Sequence, residues 1–81
     1  MAWLIPSFEL AREIGDRVEI DAATVGELID EGVARYGEPF REATQGAVLV
    51  VNGRSISVLK GRRTKLAAGD SVWLVNPVAG G

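Results

Sequence analysis

The chain has 81 residues, with nine basic and eleven acidic side chains and a formal net charge of −2. This length fits a single domain, and the negative balance argues against a general nucleic-acid binder. Histidine and cysteine are both absent, which excludes histidine general bases, cysteine nucleophiles, disulfides and zinc sites of the Cys/His kind. No G-x-S-x-G, Walker A or G-x-G-x-x-G motif occurs either. We therefore expect another protein to supply the catalytic groups of any reaction in which this chain takes part.

Apolar stretches in this chain are all shorter than the roughly 18 to 20 residues that span a bilayer. The first residues also lack a charged segment followed by a long apolar one. We expect a cytoplasmic protein without a membrane partner.

Two strands are predicted near the start of the chain. The first covers 3–8, an apolar run in which Pro6 favours an edge, a bulge or a strand end. The second covers 17–20, where polar and apolar residues alternate. Between them, Gly15-Asp16 is typical of a turn, so the two strands are predicted to form a hairpin.

The next predicted element is the chain's main helix. Thr24 and Glu27 have the spacing of a capping box at its start, and Gly37 and Pro39 mark its end. The apolar residues that recur at helical spacing are Val25, Leu28, Ile29, Val33 and Tyr36. No pattern predicts an element over 38–46.

Three further strands are predicted in the second half of the chain. The uninterrupted apolar run 47–51 is typical of a central strand buried on both faces. Asn52-Gly53 predicts a type I′ hairpin turn into a partner strand over 54–58. The last strand covers 71–75 and follows the turn dipeptide Gly69-Asp70.

The order of these elements is strand, strand, helix, strand, strand, strand. It predicts an α+β fold, the β-grasp roll, with a mixed sheet of four to five strands covered by one main helix. In that fold the first and last strands are central neighbours. We expect one β-grasp domain at residues 1–75 and a flexible C-terminal tail at residues 76–81.

The tail ends in Gly80-Gly81 and is predicted to be the reactive part of the chain. Its six residues extend roughly 20 Å at about 3.3 Å per residue, which is enough to enter a buried site in a partner. The reacting group would be the main-chain carboxylate of Gly81. Pro77, Val78, Ala79 and Gly80 would thread the tail, because Pro77 removes a sheet donor and the small residues keep the tail thin.

Strand alternation predicts a partner-binding surface beside the tail. If Val72 and Leu74 face the helix, then Ser71, Trp73 and Val75 face outward. An outward Trp73 would be a natural interface anchor, because aromatic residues are enriched at hot spots. The alternative is a Trp73 that packs in the core.

Two other features allow more than one interpretation. Trp3 fits either face of the sheet. The loop cations Lys60, Arg62, Arg63 and Lys65 fit either a solvated loop or a contact with acidic groups of a partner.

These landmarks together resemble the MoaD/ThiS family of ubiquitin-like sulfur carriers. In the second half the resemblance is carried by Val51-Asn52-Gly53, Gly61, Leu66, Gly69-Asp70-Ser71-Val72 and Pro77-Val78-Ala79-Gly80-Gly81. In the first half it is carried by Ile5-Pro6-Ser7, Arg12-Glu13-x-Gly15 and Ala23-Thr24-Val25-Gly26-Glu27-Leu28.

The resemblance implies a carrier that is not itself an enzyme. A separate activating enzyme would use ATP and magnesium to convert the Gly81 carboxylate to an acyl-adenylate, and this chain would bind no cofactor or metal. A persulfide or sulfide donor, such as a sulfur donor protein, would then displace AMP and leave a Gly81 thiocarboxylate. The thiocarboxylate would deliver its sulfur in the active site of a second enzyme.

The first role that the resemblance implies is the small, sulfur-carrying subunit of molybdopterin synthase, whose large subunit would accept the sulfur. Other carriers of the family's type serve thiamine, cysteine or other thio-metabolites, tRNA thiolation, or ubiquitin-like protein modification. A different class stays open, in which the fold is a binding module whose terminal glycines are never activated.

Overall fold

The computed structural model describes residues 1–76, which form a five-stranded mixed sheet with three helices on one face. The strands are β1 (Ala2–Ile5), β2 (Val18–Ile20), β3 (Val48–Val51), β4 (Arg54–Ser55) and β5 (Ser71–Val75). The helices are α1 (Phe8–Ile14), α2 (Val25–Tyr36) and α3 (Glu38–Gln45). Two short 3-10 helices, Ile56–Val58 and Gly61–Arg63, lie between β4 and β5.

The sheet has the strand order β2-β1-β5-β3-β4. The first and last strands are neighbours at its centre, as predicted, and they run parallel with Leu4 opposite Val72. The remaining pairings are antiparallel. This arrangement confirms the predicted α+β, β-grasp architecture, in which α2 is the main helix and α1 and α3 are shorter additions.

The core lies between the sheet and the helices. Its largest fully buried side chains are Leu4, Ile20, Val25, Leu28, Phe40 and Val72. Phe40 of α3 packs against α2, because Gly32 leaves room there for its ring.

The predicted start of α2 at Thr24 is confirmed, but the second bond of the predicted capping box goes to Ala23, one residue before the cap. The Glu27 backbone N–H donates to Thr24 Oγ1 at 3.2 Å, and the Glu27 side chain accepts from the Ala23 backbone N–H at 2.8 Å. Both bonds satisfy donors at the start of the chain's longest helix, which ends before Gly37.

Two helices correct the sequence analysis. The predicted strand 3–8 ends at Ile5, and Phe8 begins α1, so β1 and β2 are antiparallel neighbours joined by a helix rather than a turn. The unassigned stretch 38–46 contains α3. Both helices are short, and each buries only one or two side chains. Their sequences therefore have too little apolar periodicity to predict a helix.

The β3–β4 hairpin is partly as predicted. Asn52 and Gly53 have φ of 50° and 87°, and a type I′ turn needs positive φ at both of these positions. The partner strand, however, is only Arg54–Ser55, and 56–58 turns into a 3-10 helix. The prediction that 47–51 is buried on both faces is also wrong, because Val48 is exposed and Val50 is half-buried.

Candidate functional site

The end of β5 places the start of the tail. β5 lies at the centre of the sheet, and Val75 pairs with Val48 of β3 before the chain leaves the sheet at Asn76. Asn76 is the last residue that the structure describes. The predicted reactive residue Gly81 and the predicted threading residues Pro77, Val78, Ala79 and Gly80 lie outside the described residues, so their roles stay predictions.

The uncovered face of the sheet carries the predicted partner-binding residues. Trp73 is 49% exposed and Val75 45% exposed, while Val72 and Leu74 are buried beneath the helices. Ser71 is half-buried on the same face as Trp73. Strand alternation therefore oriented β5 correctly, and the alternative of a core Trp73 is wrong.

Neighbouring strands extend this face on both sides of Trp73. The register places Ile5 and Val50 directly beside Trp73, and Trp3 beside Ser71. We call the uncovered surface of Trp3, Ile5, Val48, Val50, Trp73 and Val75 the open face. Apolar side chains at the centre of a surface are typical of protein interfaces.

The strand register was the information that sequence analysis lacked. Alternation within β1 puts Trp3 and Ile5 on one face and Ala2 and Leu4 on the other, but it does not say which strand lies next to β5. The exposure of Val48 could not be predicted from the sequence. A strand with an apolar but uncovered face has the same apolar sequence pattern as a strand that is buried on both faces.

Arg17 borders the open face beside Trp3. Its guanidinium carbon lies 4.6 Å from the centroid of the Trp3 ring, within the range of a cation–π contact. The cation therefore covers part of the indole and places a positive charge at the edge of the apolar surface.

Phe8 is a further exposed aromatic residue near the tail. The sequence analysis did not single it out, because it assigned Phe8 to the first strand. It begins α1 and is 80% exposed. Because β1 and β5 run parallel, α1 starts at the end of the sheet where the tail also starts. Its neighbour Ser7 lines the same groove as Asn76.

That groove is polar and lies between α1 and α3. It has a volume of about 380 Å³, and Glu9, Glu13 and Glu42 contribute carboxylates to its lining. Like charges repel, so this groove is an unfavourable resting place for a terminal carboxylate.

The turn before β5 is fixed by Asp70 and Asn52. Asp70 accepts a hydrogen bond from the Ala67 backbone N–H at 2.8 Å, and this bond, with a contribution from the Asn52 side chain, holds the pKa of the carboxyl below its usual value. Asn52 in turn accepts from the Ser71 backbone N–H at 3.2 Å. These contacts fix the start of the strand that carries Trp73 and leads to the tail.

Two other features are absent from the part of the chain that the structure describes. Residues 1–76 contain no group of three or more acidic side chains arranged to hold a metal ion. No helix in the same part of the chain is long and apolar enough to cross a membrane.

A comparison with protein-family models shows the family to which the chain belongs. The model of the ThiS family matches residues 8–81, which is nearly the whole chain and includes the terminal glycines. The chain belongs to the ThiS family. The chain is therefore one of the ubiquitin-like sulfur carriers. The central position of β5 in the sheet agrees with the β-grasp fold of that family.

Solved structures similar to this ThiS-family protein cover it almost completely. A chain in the crystal structure of the Amycolatopsis orientalis BexX/CysO complex matches with a TM-score of 0.85 and 22% identity, over 100% of both chains. Mycobacterium tuberculosis CysO matches with a TM-score of 0.85 and 20% identity, over 96% of this chain and 100% of that one.

Modifier proteins have the same fold. SAMP1 from Haloferax volcanii matches with a TM-score of 0.71 and 25% identity, over 99% of this chain and 98% of that one. A comparison with curated proteins gave no match. These likenesses at low identity agree on the fold and leave the pathway open.

Proposed function

We propose that this ThiS-family protein is a sulfur carrier whose Gly81 carboxylate is activated and converted to a thiocarboxylate. The observation that carries the proposal is the family match, which runs from residue 8 to Gly81 and includes the terminal glycines. The position of β5 supports it, because the strand before the tail has an exposed Trp73 at the centre of the open face.

Two steps convert the carboxylate. A Gly81 oxygen attacks the α-phosphorus of ATP on an activating enzyme, and pyrophosphate leaves. Sulfide then attacks the acyl carbon, the bond to AMP breaks, and AMP leaves with the electron pair. The magnesium and the catalytic groups belong to the activating enzyme, and the carrier supplies the carboxylate and a docking surface.

The carrier's own residues have positioning roles. Trp73 and Val75 would become buried against the activating enzyme and later against the sulfur acceptor, because both of these enzymes must bind the same tail. Aromatic anchors at the centre of an interface contribute strongly when water is excluded around them. The acidic groove beside Asn76 would help by keeping the terminal carboxylate away from the carrier's own surface.

The first acceptor that we propose is the large subunit of molybdopterin synthase, which would make this chain the small subunit of that enzyme. The support is the sequence motif set, including the Pro77-Val78-Ala79-Gly80-Gly81 ending. Adding the purified large subunit and a pterin precursor to the thiocarboxylate form tests this assignment. The expected result is sulfur-dependent formation of the dithiolene product.

A second candidate is protein modification through the same carboxylate. SAMP1, the small archaeal modifier protein 1, favours it, because the Haloferax volcanii protein is 25% identical over 99% of this chain. The same activated Gly81 would then form an isopeptide bond to a lysine of a target. A third acceptor, in cysteine synthesis, fits the fold that the chain shares with CysO.

Intact mass spectrometry of the protein purified from its own cells distinguishes these candidates. The sulfur-carrier proposal predicts a mass gain equal to the difference between sulfur and oxygen, localised to Gly81. A population joined to lysines through Gly81 would establish modification instead. A terminus that stays an unmodified carboxylate after incubation with ATP, sulfide and the host's activating enzyme would overturn the proposal.

Two variants test the parts of the carrier separately. Deleting Gly81 is expected to abolish conversion, with the fold and the affinity for the activating enzyme retained. Trp73→Ser is expected to weaken binding of that enzyme about tenfold or more, because it removes an interface anchor. Ala34→Ser is the control, since Ala34 is an exposed residue of α2 and belongs to neither the open face nor the tail.

A further inference from the structure

The chain's charge is strongly segregated. The segment 43–69 contains five of the nine basic side chains and none of the eleven acidic ones. The cations of this segment are Arg54, Lys60, Arg62, Arg63 and Lys65. A protein with a net charge of −2 therefore has one markedly positive region, and the rest of its surface is negative.

Most of these cations have no carboxylate partner among residues 1–76. The ion pairs within that range are Arg41 with Glu38 and Arg62 with Asp30. Arg62 is held against α2, where it also donates to the Gly26 carbonyl at 3.5 Å. Lys60 and Lys65 are exposed and keep their charge available to a partner.

An apolar groove lies between these two lysines. It has a volume of about 410 Å³ and is lined by Val58, Leu59, Lys60, Thr64 and Lys65, which we call the basic groove. Val58 is 74% exposed, so its side chain is accessible to a partner. The groove thus combines an exposed apolar surface with two lysine side chains.

The backbone of the basic groove is held in place by hydrogen bonds. The Lys60 backbone N–H donates to Thr64 Oγ1 at 3.1 Å, and Thr64 is buried. The Thr64 carbonyl accepts from the Val25 backbone N–H at 3.0 Å, which attaches the groove to the start of α2. Both walls are therefore attached to the folded domain, and little ordering is required when a ligand binds.

The basic groove lies away from the open face and the tail. The start of α2 follows Ile20, which pairs with Ala2, whereas the tail follows Val75, which pairs with Val48. These pairings place the basic groove toward the opposite end of the sheet from Asn76. The groove is also on the helix side, so it stays accessible when a partner covers the open face.

We infer that the basic groove is a second docking surface, and that it binds an acidic polypeptide segment of a partner that carries an aliphatic side chain. Carboxylates on the segment would pair with Lys60 and Lys65, and the aliphatic side chain would contact Val58 and Leu59. A nucleic acid fits less well, because the groove is largely apolar and the rest of the chain is negative, which repels phosphates. Binding at the basic groove does not use Gly81.

A direct test uses the full chain and a fluorescein-labelled peptide of alternating glutamate and leucine, followed by fluorescence anisotropy. Three further probes accompany it: the same peptide with glutamine for glutamate, the same peptide with alanine for leucine, and a single-stranded RNA of equal charge. The acidic leucine peptide is expected to bind most tightly, and its binding should weaken as salt is raised.

Matched variants locate the binding site. Lys60→Glu and Lys65→Glu are each expected to weaken binding about tenfold, because a like charge replaces an attractive one. Arg12→Glu, on α1, changes the net charge by the same amount as either lysine variant. It should weaken binding about twofold or less, because salt screens the interaction between distant charges. Val58→Ser should also weaken binding, whereas Phe8→Ser, which removes an equally exposed apolar residue elsewhere, should not.

Several results would overturn the inference. They are failure of the acidic leucine peptide to bind at low salt, equal losses for Arg12→Glu and Lys60→Glu, and tighter binding of the RNA than of the peptide. Equal binding of the alanine peptide would also overturn it, since the aliphatic contact would then have no role. Repeating the titration with Gly81 deleted should give unchanged affinity, so this result is independent of the carrier chemistry.

Discussion

The contact between Gly32 and Phe40 shows how one residue without a side chain positions two helices. A Cβ at position 32 would overlap the tip of the Phe40 ring, and Phe40 is fully buried. In the sequence, Gly32 is only a residue of low helix propensity, because its neighbour Phe40 belongs to a helix that no pattern predicts. The purpose of this glycine becomes visible only with the packing.

Gly32→Ala is therefore expected to destabilise the fold, although alanine is the better helix former. Overpacking a filled core costs about 1 to 3 kcal/mol, which outweighs the roughly 1 kcal/mol that alanine gains in helix propensity. The free energy of unfolding in urea measures the difference. Gly46→Ala is the control, because a Cβ there meets its nearest atom at an ordinary 3.7 Å. Unchanged or increased stability of Gly32→Ala would contradict the packing argument.

Short elements were the hardest to predict from sequence. The long helix α2 has a capping box and a repeating apolar stripe, so its start and end follow from local chemistry. The helix α3 buries only Phe40 and Thr44, and α1 buries only Leu10. One or two buried positions do not establish a period, so these helices depend on tertiary contacts that the sequence does not display.

The start of α2 permits a prediction about helix capping. Thr24→Ala removes the acceptor for the Glu27 backbone N–H and is expected to lower the free energy of unfolding by about 1 kcal/mol. Thr24→Ser keeps the hydroxyl and should retain most of the stability. Thermal and urea unfolding of both variants provide the comparison, and equal losses for alanine and serine would show that the hydroxyl does not act as a cap.

The turn that begins β5 permits a prediction about pH. The pKa of Asp70 is lowered in the folded protein, chiefly by the Ala67 backbone N–H. A lowered folded pKa means that this carboxylate stabilises the fold at neutral pH, and that its contribution is lost as the pH falls below about 4 and through the folded pKa. Because Asp70 lies in a surface turn and is only half-buried, we expect a small effect.

Asp70→Asn provides the measurement. The variant is expected to melt at a lower temperature than the native chain at neutral pH, and the difference should disappear in acid, where the native Asp70 is also uncharged. Thermal melts across the acid range record this convergence. A difference that stays constant with pH would assign the loss to the shape of the turn rather than to the charge.

At the scale of the whole molecule, the β-grasp topology brings two distant parts of the chain together at the tail. The sequence predicted Ser71, Trp73 and Val75 as an outward set, because alternation within one strand is local. It did not place Trp3, Ile5, Val48 or Val50 beside them, because that neighbourhood depends on strand order and register. The open face is thus a property of the assembled sheet. The basic groove is likewise assembled from the end of the first 3-10 helix and the residues on both sides of the second.

Both tryptophans of the chain lie on the open face, which allows its docking to be observed directly. Protein labelled with 5-fluorotryptophan should give two fluorine NMR signals, which Trp73→Phe assigns. Adding unlabelled activating enzyme is expected to shift or broaden both signals, because Trp3 and Trp73 would both become buried in the interface. Lys65→Glu should leave this response unchanged, since the basic groove lies on the other side of the sheet. If Gly81 is converted while both signals stay unperturbed, the enzyme must bind the tail without covering the open face, and Trp73 would lose its role as an anchor.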